Sequence, residues 1–300
     1  MITDFHNIAI YYNTKHSNSK NMVSKLASIM SKCQVNTFIE AINPAACVFF
    51  KEPDFKPDLI IIIGGDGTFL CAARTFASKG IPIFGINSGN LGFLSQTSID
   101  TFEESLNRLL SGDYRIEERL MLEAVDTKYN TSTTLTALND IVIKRGTVSR
   151  PLVLNVFVGD DKVNDFLGDG LIVSTPTGST AYNLSAGGPI IQPGMKAIVL
   201  CPIASHSLAM RPIVIPDTQV VTITIMNEPG EVFISGDGQD HTPLQQGSTV
   251  NVAKKPYKAR LVLLGKDEDG FFKVLREKLH WGIFPGKCPD HNVKQNLKVL

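Results

Sequence analysis

Residues 59–63 read Leu-Ile-Ile-Ile-Ile and are closed at once by Gly64-Gly65-Asp66-Gly67-Thr68. An apolar run with no polar alternation cannot turn one face to water. It predicts a strand buried on both faces, as in a parallel sheet covered by helices. The neighbouring sequence supplies the covers. Met22, Leu26, Ile29, Met30 and Cys33 recur at helical spacing. Thr68 to Lys79 carries Phe69, Leu70, Ala73 and Phe76 on one side, and Thr101 to Leu110 turns Phe102, Leu106, Leu109 and Leu110 inward. Ile8 to Tyr12 and Ile81 to Ile86 are further apolar strands.

The texture changes at Ser111-Gly112-Asp113. Alternating, β-branched segments then dominate, as in Val220 to Met226, Glu231 to Ser235 and Ala259 to Leu264. A helix is expected to start near Ser179, and another to span Phe271 to Leu279. With 300 residues there is room for two domains. The expected division is an α/β domain over 1–115, joined by the tail 266–300, and a β-rich domain over 116–265.

Lys plus Arg and Asp plus Glu both number 29, so the formal net charge is zero. That argues against nucleic-acid or anionic-membrane partners, whose affinity rests on many Lys or Arg contacts to phosphates. It leaves room for a small anionic ligand, which needs only local donors. The five cysteines are scattered and form no Cys-x-x-Cys pair, so no disulfide framework is expected, and Cys71 reads as a buried free thiol. Cys288 and His291 have metal-like spacing but no second pair beside them, so no zinc site is expected. Residues 1–12 lack the pattern of a signal peptide, and no apolar run approaches the roughly 20 residues that span a bilayer. The expectation is a soluble, cytoplasmic protein.

Two clusters carry chemistry. Gly64-Gly65-Asp66-Gly67 joins a strand to a helix, where glycines let backbone approach phosphate oxygens and helix N–H groups favour anions. It is neither a Walker A loop nor Gly-x-Gly-x-x-Gly. A carboxylate at such a place repels an anion unless it has a task. Asp66 could hold Mg2+ or take a proton from a substrate hydroxyl, against the alternative of a helix-capping aspartate. The second cluster, Asp169 to Pro189, is dense in small and hydroxylated residues and includes Thr-Pro-Thr-Gly-Ser-Thr-Ala-Tyr at 175–182. Such residues bind sugar, amide or phosphate groups without changing net charge.

These clusters, with Asn87 to Leu94 and Asn139-Asp140 between them, resemble the NAD kinase family in content and order. Gly-Gly-Asp-Gly-Thr alone is shared with diacylglycerol and sphingosine kinases, whereas the 175–182 run is far more specific. The resemblance implies a Rossmann-like α/β domain with a parallel sheet, a β-rich, sandwich-like C-terminal domain, and an active site in the cleft between them. It implies phosphorylation of the adenosine ribose 2′-hydroxyl of NAD to give NADP. ATP would be the donor, with polyphosphate open as a second one, and Mg2+ or another divalent ion would assist. It matches Asp66 to the general base and Gly64, Gly65 and Gly67 to the phosphate site. Phe93 falls at the adenine region, and Asn139 and Asp140 form the adenosine-binding pair, where many relatives have Asn-Glu. Asp169, Thr180, Ala181, Tyr182, Asn183, Leu184 and Ser185 match further dinucleotide contacts, as do Gln239 and its neighbour Asp237. Arg150 stands where a basic residue is common, and Leu167 where some relatives carry a cation. No metal ligands are assigned. The family also implies a homo-oligomer, dimer or tetramer. The alternatives are a lipid or small-molecule kinase using the first motif, and an inactive dinucleotide-binding regulator.

Overall fold

The computed structural model describes residues 4–14, 19–42, 50–87, 92–95, 97–127, 134–147, 150–227, 230–265 and 270–279. Part of the Asn87 to Leu94 motif (88–91), together with Cys288 and His291, lies outside them.

Strands and helices alternate first: β1 (Asn7–Asn13), α1 (Ser19–Lys32), β2 (Asn36–Ile42), β3 (Leu59–Gly64), α2 (Asp66–Phe76), β4 (Ile83–Asn87), β5 (Thr97–Ser98), α3 (Phe102–Leu110) and β6 (Tyr114–Arg119). A β-rich stretch follows: β7 (Leu122–Asp126), β8 (Thr134–Ala137), β9 (Asp140–Arg145), β10 (Leu152–Val158), β11 (Asp161–Gly168), β12 (Gly170–Ser174), the one-turn helix α4 (Tyr182–Ser185), β13 (Ala197–Ile203), β14 (Ile213–Pro216), β15 (Val221–Ile225), β16 (Val232–Gly236), β17 (Gln239–Leu244), β18 (Thr249–Lys254) and β19 (Ala259–Leu264). These lie in one compact unit, Met1–Gly265. Lys266–Leu300 forms a second unit, in which α5 (Gly270–Leu279) carries Arg276 and Lys278 in its last turn, where cations suit the helix dipole.

The first sheet runs β2-β1-β3-β4-β19-β6, with β5 beside β4, and every pairing is parallel except β19 with β6. β3 lies at its centre, and all six of its residues are buried. Ile61 and Ile63 share a core with Leu26 and Met30 of α1 and Leu106 and Leu109 of α3. Ile60 and Ile62 face the other way, against Phe69, Ala73 and Phe76 of α2. Each buried isoleucine contributes roughly 1.5–3 kcal/mol, and both faces need a helix to realise it. The unbroken aliphatic run is this two-sided burial written in sequence.

Two antiparallel sheets, β11-β10-β15-β18-β7-β8 and β14-β13-β12-β9-β16-β17, face each other across one core. Leu154, Ile223 and Val252 of the first meet Ile143, Leu171 and Leu200 of the second in a sandwich. The outer face of the second sheet carries a smaller core of Val142, Ile172, Val199 and Cys201 under Ile191. That explains why β12 is buried throughout while β15 alternates.

Sheet membership differs from the boundaries expected at 115 and 265. β6 extends to Arg119, and β19 inserts between β4 and β6, pairing Leu261 with Ile83 and Leu264 with Tyr114. The sandwich is thus an excursion between two strands of the α/β sheet. Strand propensity at Ala259 to Leu264 marks a strand and cannot say which sheet it joins. Cys71, read from sequence as a free thiol, is buried but disulfide-bonded, whereas Cys33 and Cys201 are free.

Candidate functional site

The first part of the site is the turn from β3 into α2. Gly65 is extended and its carbonyl accepts from the Thr68 and Phe69 N–H groups, with no side chain capping the helix. The first N–H groups of α2 therefore have no partner within the helix. A Cβ at Gly64 would lie 2.8 Å from Thr68 Oγ1, so the turn closes only around glycine. Asp66 opens the helix, half-buried. Its carboxylate rests on the backbone of Gly92, where a Cβ would come within 2.0 Å of Oδ1. Phe93, half-buried, follows directly.

The second part is the β8–β9 connection, Leu138 to Asp140. Asp237, in the β16–β17 turn at φ +55°, has a fully buried side chain. Its Oδ1 accepts from the N–H groups of Asn139 at 2.7 Å and Asp140 at 3.3 Å, and its Oδ2 from Leu138 N–H at 3.0 Å. Arg74 of α2 stands 3.8 Å from Oδ2. The Asp237 carboxylate is thus committed to holding the chain that carries Asn139 and Asp140. Gln239 bridges: its Nε2 donates to the Gly67 carbonyl at 3.3 Å, and its Oε1 accepts from Arg74. Asp140 is buried, and that burial, reinforced by the Asp237 charge, pushes its carboxyl up to about 7. Burial also raises Asp237, against the three backbone N–H groups and Arg74, which lower it.

The third part is the segment from Thr175 to Ile191. Thr175 donates its N–H to Asn139 O at 2.8 Å and its hydroxyl to Leu138 O at 2.6 Å. Gly178 lies so close that a Cβ would be 2.1 Å from Asn139 O. The helix expected from Ser179 does not form as one piece: a 3-10 turn, Thr177–Thr180, breaks at Ala181 before α4. The hydroxyls and amide of this segment bond inward instead. Ser179 Oγ donates to Pro176 O and accepts from Ile191 N–H at 2.9 Å. Asn183 Nδ2 donates to Ser179 O and Pro189 O, both at 3.1 Å. Asn183 is fully buried, so its side chain shapes the loop, whereas Tyr182 and Ser185 are exposed and Thr180, Ala181 and Leu184 half-buried.

Tyr182 and Asp169 line a cavity of about 540 Å3 on the β9–β12–β16 sheet, together with Lys144, Arg145, Glu231, Phe233 and His241. Arg145 Nε donates to Asp169 Oδ1 at 2.6 Å. Burial first, then the charges of Asp140 and Asp169, raises the Tyr182 hydroxyl, which links this cavity to the Asp140 side of the site. Sequence reasoning named Asp169 and Tyr182 but missed Lys144, Arg145, Glu231, Phe233 and His241. Phe233 and His241 meet edge-to-face only through the β16–β17 hairpin. Arg150 is exposed ahead of β10 and does not line the cavity.

Among the described residues, no cluster of three or more His, Cys, Asp or Glu side chains is disposed to hold a metal. Mg2+ uses one or two carboxylates plus substrate phosphates rather than a protein cage. Asp66, beside the open N-terminus of α2, fits that donor set.

A model of the ATP-NAD kinase N-terminal domain matches residues 7–114, and one of the C-terminal domain matches 138–264. The chain belongs to the NAD kinase family. The NAD kinase of Heliobacterium modesticaldum is 39% identical over 281 residues, covering 92% of this chain and 99% of that protein. The Moorella thermoacetica NAD kinase is 43% identical over 232 residues, covering 77% and 74%. Among solved structures, yeast NADH kinase complexed with NADH superposes at a TM-score of 0.80 with 25% identity, covering 94% of this chain and 90% of that one. An Archaeoglobus fulgidus NAD kinase in complex with ATP shares the fold at 0.69 and 24% identity, covering 90% and 97%. Family membership disfavours the lipid-kinase and inactive-regulator alternatives.

Proposed function

We propose that this protein transfers the γ-phosphoryl group of ATP to the adenosine ribose 2′-hydroxyl of NAD, giving NADP. The observation that carries this reading is the position of Asp66. A half-buried carboxylate opens α2 at the glycine turn, and a Gln239 side chain joins that turn to the hairpin holding Asn139 and Asp140. Its relatives named NAD kinase support the substrate pair.

A ribose hydroxyl is a weak nucleophile, and Asp66 takes its proton as the phosphoryl group arrives. Gly64, Gly65 and Gly67 leave room for the donor phosphates, and the positive end of the α2 dipole favours negative charge there. Asp66, with the donor phosphates, would hold a divalent ion, Mg2+ or another, which would supply charge neutralisation. Asn139 and Asp140 hold the adenosine. The raised Asp140 carboxyl keeps part of its proton near neutrality, which limits repulsion of the anionic ligand. Phe93, Asp169 and the 180–185 segment, through Tyr182 above all, complete the dinucleotide site.

The protein works in the cytoplasm as a homo-oligomer, dimer or tetramer. Supporting this, β14 is an edge strand with exposed Ile213 and Val214, and Leu208 before it is 93% exposed. Among the described residues no helix is long and apolar enough to cross a membrane.

The test is NADP or NADPH formation from NAD and from NADH, with ATP and polyphosphate as donors, by wild type and Asp66→Asn. Expected is NADP from NAD and ATP, with kcat reduced about 10²–10⁴-fold in the variant while NAD still binds. No NADP from the wild type overturns the activity, and normal turnover in the variant removes Asp66 from its role.

A further inference from the structure

We propose that Arg74 is a positioning residue for phosphoryl transfer, fixing the helix that begins at Asp66 against the β16–β17 hairpin, whose Asp237 holds the connection that carries Asn139 and Asp140. The proposal rests on the NAD kinase reading above.

Arg74 lies eight residues after Asp66 on α2, about 12 Å along the helix axis. An arginine near the end of an amphipathic helix ordinarily reaches into water. Here the side chain is only 11% exposed. Helical side chains lean towards the N-terminus, and this one does so into the β16–β17 turn. Its guanidinium donates to Gly236 O at 3.0 Å and to Gln239 Oε1, and faces Asp237 Oδ2 at 3.8 Å. Two of these partners lead back to the reaction. Gln239 bonds the carbonyl of Gly67, next to Asp66. Asp237 receives three consecutive N–H groups, those of Leu138, Asn139 and Asp140. One guanidinium therefore sits where the base-bearing helix meets the hairpin that holds the Asn139–Asp140 connection in place.

Two features argue for more than stability. Asp237 adopts a left-handed backbone that non-glycine residues rarely take, in order to present its carboxylate there. A buried ion pair is also a poor stabiliser, because the desolvation of both charges offsets their attraction, and well-packed apolar groups would serve stability as well. What the charged fork supplies is a fixed direction: a planar guanidinium bonded at once to Gly236 and Gln239 resists sliding of α2 along the hairpin.

The test compares wild type with Arg74→Met and Arg74→Lys. It measures kcat and KM for NAD, NAD affinity without donor, the pH dependence of kcat, and the melting temperature. A lysine keeps a cation near Asp237 but lacks the planar fork. Expected is a fall in kcat of about 10²-fold in Arg74→Met, the cost of misplacing reacting groups by about 1 Å. Arg74→Lys falls between it and the wild type. NAD affinity and the acid limb of the pH profile stay put in both, because neither the adenosine contacts nor the base have changed. A folded variant with wild-type kcat and a lowered melting temperature overturns the proposal, as does a raised KM with kcat intact. If Arg74→Met does not fold, Arg74→Lys decides on the same readouts. Failure of the wild type to form NADP is a separate result, and it overturns the activity on which the proposal rests.

Discussion

The carboxylate of Asp66 lies against the backbone of Gly92, so closely that a Cβ at position 92 would sit 2.0 Å from Oδ1 and 2.7 Å from Cγ. Asp66 opens α2 after β3 and Gly92 follows β4, and the missing side chain of one sets the place of the other. Gly92→Ala is expected to displace the carboxylate and lower kcat by about 10²-fold, with NAD affinity retained. Steady-state kinetics beside a direct NAD titration checks this. Unchanged kcat would show that the position of Asp66 is not set by this contact.

Asp140 is expected to make stability depend on pH. Its carboxyl is raised to about 7, first by burial and second by Asp237. The folded protein therefore binds a proton that the unfolded chain has already released between about pH 4 and about pH 7. The stability that the protonated form contributes is complete below the ordinary carboxylate value and is lost as pH rises through about 7. Asp140→Asn has no such proton. Urea unfolding of both proteins from about pH 5 to about pH 8 should show the variant gaining on the wild type as pH rises. A constant difference refutes the assignment.

Asn183 ties the loop that presents Tyr182. Asn183→Ala leaves the carbonyls of Ser179 and Pro189 without their donor, at a cost of about 1–3 kcal/mol for each buried group left unsatisfied. Asn183→Asp fits the space but brings a charge into a fully buried position. Both variants should unfold at lower urea than wild type. Wild-type midpoints would mean that the loop keeps its shape by packing alone.

Arg145 and Asp169 make a partly exposed pair, with side chains 27% and 37% accessible. Breaking such a pair changes stability by less than about 1 kcal/mol. Arg145→Gln should therefore melt close to wild type. It should raise KM for NAD, because Asp169 loses the partner that orients it in the cavity. An unchanged KM would place the pair outside the dinucleotide site.

What could be read without coordinates was what short stretches impose. Ile60 to Ile63 announce a strand covered on both faces, and the glycines after them announce a tight entry into a helix. The reading failed where a residue's meaning depends on distant chain. Arg74 on a helical face looks like any solvated arginine until the β16–β17 turn is placed over it. Asp237 carries a motif-like context, yet its carboxylate serves backbone N–H groups 97 to 99 positions earlier. A helix is expected to start near Ser179, inside a run of small and hydroxylated residues. In the fold, Thr175, Ser179 and Asn183 spend those groups on nearby carbonyls, which breaks the helix at Ala181.

The place of β19 has a consequence for the order of assembly. β4 and β6 do not pair with each other; each pairs with β19, whose residues begin at Ala259. During synthesis the growing α/β sheet must wait, with that flank of β4 covered only at its end by the two-residue β5, until the whole sandwich has emerged. Late contacts between distant chain segments slow folding. A fragment ending after α3 would leave the Ile83 end of that flank exposed permanently, as a sticky edge and not a small stable domain. The two halves of this protein are sewn together by a thread that passes twice, so neither can be detached from the other by a single cut in a linker.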